Sequence, residues 1–133
     1  MDNIAITFGR LLLGLYFLIP GITKITGYAA TAEYMTLHNI PMVGALLPIT
    51  IVLQVGGGLS LMAGHLIKPI ALVLAALTLA INVGMHDFWV TYSDVDTAHE
   101  LQNFIKNLGI FAGLLVLASA HEVDQWRLQR SKP

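Results

Sequence analysis

Apolar residues fill four long stretches of this chain, roughly 4–23, 43–64, 69–86 and 104–120, and a few charged residues sit inside them or at their ends. Each stretch is close to the ~20 residues that an α-helix needs to cross a bilayer. Stretch 69–85, PIALVLAALTLAINVGM, carries no charge over 17 residues. It lacks the solvent face that an amphipathic helix of a soluble bundle would show. The pattern predicts an all-α fold, a transmembrane four-helix bundle, as a single domain over 1–133.

The connections differ in size. Segment 24–42 has room for a short interfacial helix around 29–37, ended by His38-Asn39-Ile40-Pro41. The turn at 64–69 is tight, so spans two and three form a hairpin. Segment 90–101, VTYSDVDTAHEL, reads as a polar loop that caps the bundle. The N-terminus imitates a signal peptide, with an apolar run at 11–22 and a small-x-small sequence at Ala30-Thr31-Ala32. The region before Arg10 holds Asp2 and no base, so the expectation is a retained first span.

Composition agrees. The chain is 56% hydrophobic and 11% charged, with a mean hydropathy of +0.71. Ordinary soluble domains carry ~25% charged residues. The 133 residues leave no mass for a sizeable soluble catalytic domain, and no basic patch fits nucleic acid. Cysteine is absent, which removes dithiol exchange, iron–sulfur ligation and thiolate metal sites.

Loop charges predict orientation. Four spans put both termini on one side, with Lys68, Arg127, Arg130 and Lys132. The other side has Lys24 and Lys106 against Glu33, Asp87, Asp94, Asp96 and Glu100. The positive-inside rule makes the basic side cytoplasmic, hence N-in and C-in. Tyr28, Tyr34, Trp89 and Tyr92 then fall at the outer interface and Trp126 at the inner one.

Small and polar residues mark candidate inward faces. Arg10, Gly14, Phe17, Gly21 and Lys24 form one stripe of span one. Gly44, Ile51, Gln54, Gly58 and Leu61 share a face of span two, and Ala75, Thr78, Asn82, His86 and Trp89 one of span three. In span four the expected inward residues are Asn103, Lys106, Gly113 and Ala120, with Gly109-x-x-x-Gly113 as a helix-contact pattern. Most glycines of these spans are expected to serve helix contact.

Depth sorts the polar groups. Arg10 lies ~10 Å in from the inner end, at 1.5 Å per residue. Gln54 and Asn82 fall near mid-membrane. Lys24, His86, Asp87, Trp89, Lys106 and Asn107 gather near the outer boundary and are the candidate ligand-binding residues. An unpaired charge at that depth is costly, so Lys24 or Lys106 is expected to pair with Asp87. A lysine there can instead polarise a carbonyl oxygen while His86 exchanges protons, which suits a quinone-like headgroup with its tail in the bilayer. The five histidines show neither H-x-x-x-H spacing nor a pair at matching depth for haem. His86, Asp87, His99 and Glu100 form the one conceivable metal set, and no metal is expected.

These residues carry a resemblance. Gly9-Arg10-Leu11-Leu12-Leu13-Gly14 with Gly21-Ile22-Thr23-Lys24, then His86-Asp87-Phe88-Trp89, then Phe104-Ile105-Lys106-Asn107, stand in an order that resembles the DoxX family of small bacterial four-helix membrane proteins. The resemblance implies a multi-pass protein of the bacterial inner membrane. It carries over Arg10, Gly14, Gly21, Lys24, His86, Phe88, Trp89, Lys106 and Asn107. Gln54 departs from it, because members often hold a glutamate at that point, and a buried acid able to partner Arg10 is lost.

The resemblance further implies a component of a quinone-linked redox system, at most a subunit of a membrane oxidoreductase. No redox centre or cofactor is evident in the chain itself, so a membrane or redox partner protein is expected to supply electrons. Self-association is a further expectation. Two alternatives stay open: a non-catalytic scaffold or assembly subunit, and a small-molecule or lipid transporter.

Overall fold

The computed structural model describes residues 4–92 and 95–130, with side chains described up to Ala120. Asp94, His121, Trp126, Arg127, Arg130 and Lys132, used above in reading orientation and histidine chemistry, therefore lie outside the described side chains. The described residues form helices α1 (Ile4–Thr26), α2 (Tyr28–Leu37), α3 (Val43–Ala63), α4 (Ile67–Met85) and α5 (Thr97–Arg130), with no strand among them. Ile4–Thr26, Val43–Ala63, Ile67–Met85 and Thr97–Ala120 are long and apolar enough to cross a membrane.

Local sequence sets the helix ends. α3 stops at Gly64, whose φ of +77° suits a residue without Cβ. Gly64 N–H donates to the Leu61 carbonyl and His65 N–H to the Ser60 carbonyl, the paired bonds of a Schellman turn. Asn39, at φ +59°, ends α2 in the same way, with Ile40 N–H donating to the Met35 carbonyl. α5 begins earlier than the apolar run predicts, at Thr97 instead of 104. The cause is Asp96, whose Oδ1 accepts from Ala98 N–H at 3.0 Å and His99 N–H at 3.4 Å and so caps the first turn. The last five residues of the expected 90–101 loop, 97–101, are therefore helix.

The long helices pack as two antiparallel pairs, α1 with α3 and α4 with α5, which meet along α3 and α4. α1 and α5 barely touch. The α1–α3 pair is drawn close by Gly14 and Gly58. A Cβ built on Gly58 would stand 2.6 Å from the Gly14 carbonyl oxygen, and one on Gly14 would stand 2.7 Å from that of Gly58. Dispersion grows steeply at such approach, which holds helices together where lipid removes the hydrophobic drive. Gly21 and Gly57 serve the same purpose, against Val55 and Leu74. The core continues through Phe17, Leu61, Ala71, Leu74, Ala75, Leu114 and Ala118.

The expected α1 stripe holds: Gly14, Phe17 and Gly21 are buried, and Arg10 and Lys24 are half-buried. Three expectations are corrected. Gly44 is exposed and meets nothing. Trp89 lies past the end of α4 and is 55% exposed. In α5 the buried face runs through Glu100, Asn107, Leu114 and Ala118, whereas a Cβ at Gly109 or Gly113 would find open space. Polar and small residues of α5 thus line a gap, not a helix contact.

Candidate functional site

That gap is a cavity of about 700 Å³ between α1 and α5, floored by Gln54 of α3 and by Thr78 and Ile81 of α4. Apolar Leu13, Phe17 and Ile110 line it together with Gly109 and Gly113. Its polar lining comes from Tyr16, Lys24, His86, Asn103, Lys106 and Asn107. Most of these belong to the end of the bundle that carries α2. The α5 spacing explains the convergence: 103, 106, 109, 110 and 113 recur at helical intervals and share the face turned to α1.

A second cavity of about 580 Å³ lies on the α2 side of α1, among Ile19, Thr31, Tyr34, Met35, Leu47 and Met85. Pro20, Lys24, Ile81 and His86 line both cavities and so form the partition between them. Towards the α3–α4 hairpin, a smaller space of about 240 Å³ continues the α1–α5 seam past Arg10 and shares Leu13 and Gly113 with the first.

Beside the partition is a network of two histidine–carboxylate–tyrosine groups. His86 Nδ1 lies 2.8 Å from Glu100 Oε2, and the Tyr34 hydroxyl donates to Glu100 Oε1. His38 Nδ1 lies 2.9 Å from Asp87 Oδ1, and the Tyr92 hydroxyl donates to Asp87 Oδ2 at 2.5 Å. The His38 ring packs between those of Tyr34 and Tyr92, at centroid distances of 4.6 and 4.5 Å. Glu100, Asp87 and His38 are all buried. Burial and the bond to Glu100 push the Tyr34 phenol well above its ordinary range. The bond to Asp87 raises that of Tyr92. Each tyrosine therefore stays a neutral donor to its carboxylate.

The sequence-predicted residues divide. Lys24, His86, Lys106 and Asn107 come together in the larger cavity, with Gln54 at its floor. Asp87 and Trp89 do not line it. The expected Lys24 or Lys106 pairing with Asp87 does not form, because the chain leaves the helix at His86 and turns Asp87 towards α2, where His38 and Tyr92 take both its oxygens. Among the described residues neither lysine has an ion pair. Trp89 packs edge-on to Phe88 and Phe104, at 5.3 and 5.8 Å. Asn82 is buried and ties α4 to α5, its Nδ2 donating to the Phe104 carbonyl at 3.0 Å. Arg10 lies at the far end of the seam, its guanidinium 2.7 Å from where a Cβ on Gly64 would stand. There it faces the carbonyl end of α3, which favours a cation.

His86, Asp87, His99 and Glu100 do not assemble as a metal set. His86 joins Glu100, Asp87 joins His38, and His99 is exposed. No group of three metal-ligating side chains gathers among the described residues. Sequence reasoning missed Tyr16, whose hydroxyl donates to Asn107 Oδ1 at 2.7 Å across the seam. It also missed the pairing of Tyr34, His38, Tyr92 and Glu100. The spacing 100, 103, 107 was a helical signal for Glu100, but nothing local announces that α2 folds onto it.

Comparison with known proteins places residues 5–87 in the DoxX family. The chain is 33% identical over 129 residues to the inner membrane protein YqjF of Escherichia coli K12, covering 94% of this chain and 93% of that one. It is 28% identical over 115 residues to the inner membrane protein YphA of the same organism, covering 86% and 81%. No solved structure matches.

Proposed function

The chain belongs to the DoxX family, and from that premise we propose that this multi-pass inner-membrane protein is the membrane component of a quinone-linked redox system. It binds a quinone-like amphiphile in the α1–α5 cavity, near the outer membrane face, with both termini cytoplasmic. Electrons come from a partner protein.

One observation carries the reading: a single cavity joins apolar walls to two lysines, a histidine and amides. About 700 Å³ is within the range of small-molecule sites, which pair apolar walls with a few convergent polar groups. Lys24, Lys106 and the Asn103 and Asn107 amides can donate to headgroup carbonyls. The gap between α1 and α5 leaves room for a prenyl chain to run into lipid. A scaffold needs no such cavity.

Mass spectrometry and absorption on protein purified in mild detergent, without added ligand, test this. A stoichiometric quinone, lost on Lys106→Ala, is expected. A clean apo protein that co-purifies with another membrane polypeptide would replace the redox reading with a scaffold.

A further inference from the structure

Resting on the quinone reading above, we infer that the cavity recognises the reduced, hydroxyl-bearing form of its ligand, a hydroquinone-type phenol, and takes the phenolic proton onto His86 Nε2. The oxidised carbonyl form is then the weaker ligand.

Two independent observations point there. The first is the bond from His86 Nδ1 to buried Glu100 Oε2. A carboxylate accepts and does not donate, so Nδ1 carries the proton in neutral His86. The polar atom left for a ligand is Nε2, as a bare acceptor. A hydroxyl satisfies an acceptor and a quinone carbonyl does not. Glu100 then stabilises the imidazolium that forms, as a positioning residue that never touches the ligand.

The second is charge. Lys24 and Lys106 line the cavity without an ion pair, and Asp87 and Glu100 are engaged by histidine and tyrosine. An anionic oxygen in the cavity meets two lysines and no carboxylate in its wall, and a neutral carbonyl gains less from them. The floor adds a third element, since Gln54 lines the cavity and its buried Oε1 has no protein partner. It accepts from a second hydroxyl of the ligand.

The step is a proton transfer alone. The ligand O–H bond breaks, an N–H bond forms at Nε2, and the bonding electrons stay on oxygen as a phenolate. The ionisable groups lining the cavity with His86 are Tyr16 and Lys24 from α1 and Lys106 from α5, and behind its ring stand Glu100 of α5 and Tyr34 of α2. Of these Tyr34 stays neutral and its hydroxyl points to Glu100. α3 contributes only the uncharged Gln54.

The probe is a decyl-substituted benzohydroquinone, kept anaerobic, added to the protein in detergent and followed by phenolate absorption across pH. Its midpoint is expected about one to three pH units below that in empty micelles, as nearby opposite charge shifts an ionisation. Lys106→Met and Glu100→Gln should each return part of the shift. Lys106 is exposed, so that variant keeps the fold and isolates the charge. The decyl benzoquinone is expected to bind more weakly at every pH. Binding of the hydroquinone with an unmoved midpoint, or with a shift indifferent to both variants, overturns this inference and leaves the quinone reading standing. Failure of both probes to bind overturns both.

Discussion

The Tyr16 hydroxyl donates to Asn107 Oδ1 at 2.7 Å, bridging α1 and α5 where the two helices otherwise hardly meet. Asn107 is buried, so losing the donor strands a buried acceptor. That costs about 1–3 kcal/mol. Tyr16→Phe is therefore expected to lower the melting temperature in detergent, and to widen the seam as read by a spin-label pair on α1 and α5. A variant with wild-type melting and spacing would mean that the bond does not hold the seam.

Glycines on the two sides of α1 should respond oppositely to added bulk. Gly58→Ala places a Cβ against the Gly14 carbonyl, so overpacking of about 1–3 kcal/mol is expected, seen as early thermal unfolding. Gly113→Ala meets open space. Removing a helix glycine favours the helix by up to ~1 kcal/mol. Gly113→Leu should keep the fold and lose ligand by filling the cavity. Equal loss of stability at Gly58 and Gly113 would contradict the two-pair packing.

Arg10 and Gly64 form a structural unit at the hairpin end. Arg10→Ala is expected to reduce thermal stability while ligand affinity in the folded fraction stays near wild type. Gly64→Ala should be worse than an ordinary helix substitution, because it adds a left-handed backbone of about 1–2 kcal/mol to the clash with the guanidinium. Lys106→Ala gives the reverse pattern, unchanged melting with weakened binding. A fully stable Arg10→Ala protein would remove the structural role assigned to it.

Alkali should loosen the α2 end. The Tyr34 and Tyr92 phenols ionise above the ordinary tyrosine value of 10.0 in the fold. The unfolded chain therefore releases those protons first as pH rises. Stability from the two bonds is complete below about pH 10 and is lost as pH climbs through the raised folded values. Tyrosinate absorption should lag behind that of free tyrosine, and Tyr34→Phe should remove part of the alkaline loss. A titration of both tyrosines at the free value would refute the hydrogen-bonded network.

How much of this was legible follows from which forces are local. The four spans, the short helix after α1 and the turn at Gly64 are written in apolar length and in single residues with special backbone freedom. Lys24, His86, Lys106 and Asn107 were legible as one cluster because matching depth in a bundle brings them level. The α5 start was hidden by polar residues that resemble a loop, although Asp96 followed by Glu100 in the first turn is a helix-opening signal. The direction of Gly109 and Gly113 was misread because small residues in a span serve contact and cavity equally well. The partners of Asp87 were out of reach, since they depend on α2 folding over the end of α4. Lysine was the nearest guess from sequence, and the tertiary fold supplied histidine and tyrosine.

A gap that opens sideways between α1 and α5, not at the helix ends, changes what concentration means for this protein. On the quinone reading, the cavity samples the leaflet, so occupancy follows the mole fraction of ligand among lipids and not its level in water. A ligand too insoluble to measure in buffer can saturate such a site from a few molecules per hundred lipids, and its apparent affinity depends on the phase in which its concentration is counted. Detergent lowers that mole fraction, so a ligand that survives purification is one the cavity holds tightly. Affinities compared across preparations have meaning only at a stated ratio of ligand to lipid.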